Sequence, residues 1–266
     1  MVSGGIIALL FICGGLCTVL PFVAMAVFKA KNKDVKISSF FIGCGVFVLF
    51  ALILEQLLHT VMLPLVRKST VMYVIYGILA AGIFEETGRF AAFKTVMKNR
   101  NDPKEAVMFG LGHGGAEAIL LAGLSLLSTA LTAVMLNNVG FEELTAMSSG
   151  GNAETAELVH SQLSAVSGLT AVQVVFSLLE RIISMTFHTA MSVIVFESAR
   201  VKEKLWLFPA SILLHAVCDL PAALYQRQVI PIWAVYPIMA VITAGIVWLA
   251  VRSFGRTREL CGKKGA

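Results

Sequence analysis

The 266-residue chain is poor in charge: Asp, Glu, Lys and Arg make up 14% of it, hydrophobic residues 58%, and the mean hydropathy is +0.84. That scarcity excludes an ordinary soluble domain, in which about a quarter of residues are charged. Polar linkers, low-complexity tracts and internal repeats are absent, so residues 1–266 read as one integral membrane domain without soluble appendages. The five cysteines, Cys13, Cys17, Cys44, Cys218 and Cys261, show no CxxC spacing. They read as small packing residues, and no disulfide is expected. No basic face with interleaved aromatics occurs, which removes nucleic acid as a partner.

What is present is a series of long apolar runs. A run of 18 or more apolar residues reads as a membrane-spanning helix, because about 20 residues cross a hydrocarbon core of roughly 30 Å. Seven such runs fill residues 4–29, 39–66, 71–97, 105–136, 166–198, 204–225 and 229–252. The expected fold is therefore all-α, a polytopic bundle of about seven transmembrane helices in a lipid bilayer. The first run has no basic residue before it and is too long for a signal h-region, so it is expected to be retained. Sixteen Lys and Arg lie on one set of connections and the tail (Lys263 and Lys264 included), against three, Arg67, Lys68 and Arg227, on the other set. The positive-inside bias then puts the N-terminus outside and the C-terminus in the cytoplasm of a multi-pass cell-membrane protein. The connection 137–165 has no Lys or Arg and reads as a short surface helix or a mobile lid. His160, within it, reads as a surface histidine.

Ionisable groups inside the spans are few. Charge there is costly and, where it persists, faces the bundle interior and marks function. In GIFEETGRF, residues 82–90, Glu85 and Glu86 lie four and three residues before Arg89, so either carboxylate can meet the guanidinium on one helix face. One glutamate is expected to pair with Arg89 while the other holds a water as general base. His113 and Glu117 are four apart, as are His215 and Asp219, so each imidazole has a carboxylate one turn away to fix its tautomer. Depth follows from counting at 1.5 Å per residue from the nearest basic cluster. Glu86 lies roughly 18 Å from Lys98, His113 roughly 14 Å from Lys104, His188 roughly 18 Å from Arg200 and His215 roughly 16 Å from Lys204. Four helices thus bring a titratable group to one depth. Glu55 lies roughly 28 Å from Lys36 by the same count, and Glu55, His59, Glu180 and Arg181 read as solvated or paired groups near the outer boundary. Gly110, Gly112, Gly114 and Gly115 around His113 read as close helix packing.

These residues together resemble a known superfamily. EETGR, then Phe109-x-x-x-His113 on the next helix, then His215-x-x-x-Asp219 two helices later, is similar to the CAAX prenyl endopeptidase and bacteriocin-processing proteases, with the pattern EExxxR, FxxxH and HxxxN/D. Within it the chain most resembles the YhfC branch of membrane peptidases, related to PrsW and to the polytopic scaffold subunit of γ-secretase. The resemblance covers about residues 71–225 and implies a four-helix catalytic core there. It implies a glutamic-type intramembrane endopeptidase that needs no cofactor and acts on a membrane-embedded or membrane-associated peptide. Glu85 or Glu86 would activate water, with Arg89 as ion-pair partner and His113 holding the water. His215 with Asp219 would stabilise the oxyanion, and His188 would be an added site histidine. Two departures stand out: EETGR is one residue shorter than EExxxR, and Asp219 replaces the amide common at that position.

Other chemistries fit less well. Neither GxSG nor HExxH occurs, and Asp219 is the only aspartate inside a span, so serine, site-2-type zinc and paired-aspartate proteolysis lack their residues. Zinc remains the alternative mechanism: the central histidines His113, His188 and His215, with Glu85, Glu86, Glu117 or Asp219, could supply a three-ligand site with an open water position. A non-catalytic scaffold, or a proton- or ion-coupled transporter, is the reading from a different class.

Overall fold

The computed structural model describes residues 1–262, and Lys263 and Lys264 lie outside the described residues. Every span is helical, since within hydrocarbon only a helix satisfies its backbone polar groups from its own segment. The spans are α1 (Gly4–Lys31), α2 (Ser38–Phe47) continuing to α3 (Gln56–Val66), α4 (Thr70–Lys94), α5 (Lys104–Glu117) continuing to α6 (Leu124–Val139), and then three more after a pair of shorter helices. The shorter helices are α7 (Phe141–Ser149) and α8 (Ala153–Ser167), followed by α9 (Ala171–Arg200), α10 (Leu207–Gln226) and α11 (Ile232–Gly262). Seven of these segments are long and apolar enough to cross a membrane, the number expected.

Local chemistry sets the breaks. Ser69 caps α4 by accepting from the Met72 amide at 3.4 Å, and Asn152 caps α8 by accepting from Thr155 at 3.0 Å. Gly140, at φ +96°, separates α6 from α7 in a conformation that a side chain disfavours. The connection after α6 is thus helical, as one of the two expectations held. The last helix continues past residue 252, the expected end of its apolar run. Two segments, Val48–Glu55 and Ala118–Gly123, are wound as π-helix. Each adjoins a carboxylate: Glu55 ends the first and Glu117 precedes the second. Insertions of this kind often sit at functional sites.

Two compact units are distinguishable, Met1–Leu20 with Ala118–Ile182, and Pro21–Glu117 with the chain from Ile183 onward. In the first, Val2 and Asn137 exchange two hydrogen bonds of 2.8 and 2.7 Å, and Leu10, Cys13, Ala130 and Val174 form a buried cluster. The second holds every candidate site residue. Its core is built on Phe93, Phe109, Met191 and Phe196, all fully buried. Glycines let its backbones touch: a Cβ on Gly112 would stand 1.9 Å from the Phe40 carbonyl oxygen of α2, and one on Gly110 2.5 Å from the Thr189 Cα of α9. A Cβ on Gly82 would meet the Ile212 carbonyl oxygen of α10 at 2.7 Å. The glycine run around His113 therefore does what close packing requires, and in doing so brings α2 and α9 against the helix that carries the histidine. Cys13, Cys17, Cys44 and Cys218 are all free thiols.

Candidate functional site

Four helices deliver the site. Glu85, Glu86 and Arg89 come from α4, His113 and Glu117 from α5, His188 from α9, and His215 and Asp219 from α10. Glu86, Arg89 and His113 are fully buried, while His188 and His215 are 4% and 1% exposed, so this polar cluster is sealed within the second unit. Asp219, at 33% side-chain exposure, is the most open of the eight, followed by Glu117 at 14% and Glu85 at 9%. The common depth read from residue counting thus corresponds to physical contact among all eight residues.

Arg89 organises the α4 side. It donates to the Glu86 carboxylate in a very short contact, to Glu85 Oε2 at 3.3 Å, and it abuts Nδ1 of His188. Both glutamates therefore touch Arg89, and the expected division into one paired and one free carboxylate is not complete. Their other partners differ. Glu86 Oε1 takes His215 Nδ1 at 2.6 Å, and Glu86 Oε2 has no partner among the described residues. Glu85 Oε2 meets His113 Nε2 at 2.8 Å and His188 Nδ1 at 3.6 Å, and its Oε1 is 4.0 Å from His215 Nε2. Glu85 is the carboxylate shared by three imidazoles; Glu86 is the inner ion-pair partner.

The two intrahelical His–carboxylate pairs part company. His215 Nε2 does face Asp219 Oδ2, at 3.3 Å. Glu117, expected to hold His113, instead reaches across to α9 and meets His188 Nε2 at 2.7 Å, its Oε2 also accepting from Ser184 Oγ at 2.6 Å. The cause is that His113 turns toward Glu85, with its ring edge-on to Phe47, while α5 enters its π segment immediately after Glu117. His113 Nδ1 is buried and has no partner among the described residues.

Glu85, His113 and His188 each offer one ligand atom, and these atoms lie within 4.8 Å of one another. Two imidazoles and one carboxylate are a donor set of catalytic zinc, which leaves a fourth position for water. The second sphere fits too. A metal-binding histidine usually donates its other N–H to a carboxylate, and Glu117 stands at Nε2 of His188, leaving Nδ1 on the Glu85 side. The donor set fits the metal, and one neighbour opposes it: Arg89 abuts His188 Nδ1, the nitrogen on the Glu85 side. His215 is not among the three: Glu86 takes its Nδ1 at 2.6 Å, and its Nε2 stands 3.3 Å from Asp219 and 4.0 Å from Glu85. Of the three histidines expected from sequence as zinc ligands, His113 and His188 fall in this group, and Glu85 rather than His215 stands with them.

Among the groups set aside, Glu55 is buried, and His59 bridges it to Tyr76, with Nε2 3.3 Å from Glu55 and Nδ1 2.6 Å from the Tyr76 hydroxyl. Of the two readings given for Glu55, solvated or paired, the paired one holds, and Glu55 is also close enough to interact electrostatically with Glu85, His215 and Asp219. Glu180 and Arg181 pair at 2.5 Å, and His160 is exposed against Phe141. Sequence reading missed Ser184, Tyr76 and Glu197. Ser184 was findable, since it lies one helical turn before His188; Tyr76 carries no pattern that marks it. Glu197 is fully buried and bound by Arg256 through both oxygens, at 2.8 and 2.7 Å.

Seven apolar helices define a multi-pass membrane protein, and its second unit holds a sealed carboxylate–histidine cluster. Residues 16–243 match the family described as YhfC intramembrane metalloprotease. The chain is also 34% identical over 261 residues to "Uncharacterized membrane protein YhfC" of Bacillus subtilis (strain 168), covering 95% of this chain and 98% of that one. It belongs to the YhfC family. No solved structure matches it. The family description and the Glu85–His113–His188 donor set both favour a metal, so the expectation that no cofactor is required has no support.

Proposed function

We propose that this protein is an intramembrane endopeptidase that hydrolyses a peptide bond of a membrane-embedded or membrane-associated substrate. Glu85, His113 and His188 are its metal ligands and zinc is its metal. The observation that carries this reading is the convergence of those three side chains within 4.8 Å in a sealed membrane site. Zinc bound there would supply an activated water and polarise the scissile carbonyl. The protein supplies the rest. Glu117 orients His188, and Arg89 with Glu86 forms the inner ion pair that holds the α4 face. Glu86 fixes His215 through Nδ1, leaving Nε2 on the side of Glu85 and Asp219. His215 there takes the proton from the attacking water and returns it to the departing amine, a general acid–base role. Asp219, at the more exposed edge, restrains His215 and meets the incoming peptide.

A second reading has its own observation. Arg89 occupies Nδ1 of His188, the atom a metal would need, and this favours Glu85 as a metal-free general base, as in the CAAX-protease and PrsW superfamily. The core would then be residues 71–225 of a single membrane domain with the C-terminus in the cytoplasm. One measurement separates the readings. Purified protein should carry about one equivalent of zinc, and should lose cleavage of a membrane peptide on exhaustive chelation and regain it with zinc. Full activity in metal-free protein would return the mechanism to Glu85 alone. Absence of cleavage under every metal condition would favour a scaffold or a transporter.

A further inference from the structure

A cleft of about 540 Å3 lies beside the ends of α9, α10 and α11, and none of the eight site residues lines it. Its size falls within the roughly 300–1,000 Å3 of small-molecule sites. One part is apolar, walled by Ala210, Leu213 and Val217 of α10 and Leu249 of α11. Leu213 and Val217 are 61% and 49% exposed within a membrane span, so this wall meets acyl chains. The other part is cationic. Lys204, just before α10, and Arg252 and Arg256, near the end of the antiparallel α11, meet at one end of the bundle.

The charges there do not cancel. Among the described residues Glu197 is the only carboxylate in the lining, and Arg256 holds both of its oxygens. Lys204 and Arg252 remain as excess positive charge. Arg252 lies 3.8 Å over the Trp248 ring, and Trp206 lines the same end at 59% exposure. Tryptophan concentrates at the level of lipid headgroups, and basic pockets between helices bind anionic headgroups.

We propose that this cleft is a binding site for one anionic phospholipid, with its phosphate at Lys204 and Arg252 and an acyl chain along Leu213, Val217 and Leu249. A zwitterionic lipid brings its own cation and leaves the two basic residues uncompensated. An acidic soluble peptide offers nothing to the apolar wall.

The test is native mass spectrometry of the full chain in detergent, titrated with phosphatidylglycerol and with phosphatidylcholine of matched chains. Phosphatidylglycerol should be retained preferentially. The double variant Lys204→Gln/Arg252→Gln should weaken its retention by about 30-fold, the combined worth of two surface cations. Phosphatidylcholine binding should not change in that variant. Ala210→Trp, which fills the apolar part and alters no charge, should also release phosphatidylglycerol and decides the question if the double variant does not fold. Equal retention of the two lipids by the unmodified chain would overturn the proposal, as would an unchanged preference in a folded variant. Displacement of the lipid by inorganic phosphate or by an acidic peptide would overturn it as well. Cleavage of a peptide is not part of this readout, so the lipid site and the peptidase reading stand or fall separately.

Discussion

The adjacent glutamates of GIFEETGRF provide the sharpest test, because the structure gives them different partners although they are neighbours in sequence. In Glu86→Gln, the fully buried Arg89 guanidinium loses its closest counter-charge and His215 loses the acceptor of Nδ1. Breaking a buried pair by removing one partner costs about 3–5 kcal/mol. Glu85 still faces Arg89 at 3.3 Å and offsets part of that, so the lower end, about 3 kcal/mol, is expected. At roughly 2–4 °C per kcal/mol for a chain of this size, the apparent melting temperature in detergent should fall by about 6–12 °C. In Glu85→Gln the Arg89–Glu86 contact survives, so the melting temperature should move far less. What is lost is the carboxylate between His113 and His188, and with it about 100-fold or more in cleavage rate together with bound metal. The paired assay is thermal unfolding by intrinsic fluorescence alongside cleavage of a fluorogenic membrane peptide. If Glu86→Gln keeps its melting temperature while Glu85→Gln loses it, the assignment is reversed. Two variants indistinguishable from the parent would remove GIFEETGRF from the site altogether.

Further outcomes follow from the same geometry. Glu117→Gln keeps all three proposed metal ligands but alters the carboxylate at His188 Nε2, and should lower zinc affinity about 10–100-fold, measured by competition with a chromogenic chelator. Gly112→Ala forces a Cβ to 1.9 Å from the Phe40 carbonyl oxygen, so it should cost at least the ~1–3 kcal/mol of an overpacked core and show as poor yield of folded protein. Gly77→Ala, with nothing within 4 Å of its new Cβ, should be neutral or stabilising by up to about 1 kcal/mol on the same measurement. Single cysteines in residues 137–165 should label from outside and those in 98–104 from the cytoplasm; the opposite pattern would invert the proposed topology.

Hydropathy alone determined the seven spans, because an apolar segment long enough to cross a bilayer has only the helix as an unstrained state. The cost of burying charge picked out twelve ionisable residues within the spans, the eight candidate site residues among them. Counting along helices brought four of those helices to one depth, since rise per residue is fixed in an α-helix. Which partner each side chain takes was beyond that count. Depth fixes a position along the helix axis but not the rotation about it, and rotation was set by packing: the glycines of α5 against α2 and α9, and π segments that adjoin Glu55 and Glu117. For that reason Glu117 serves His188 rather than His113 in its own helix, Glu85 rather than His215 stands with His113 and His188 as the proposed metal donors, and Glu55 turns inward with His59 and Tyr76. Spacing along one helix fixes which side chains share its face; only contacts between helices decide what that face meets.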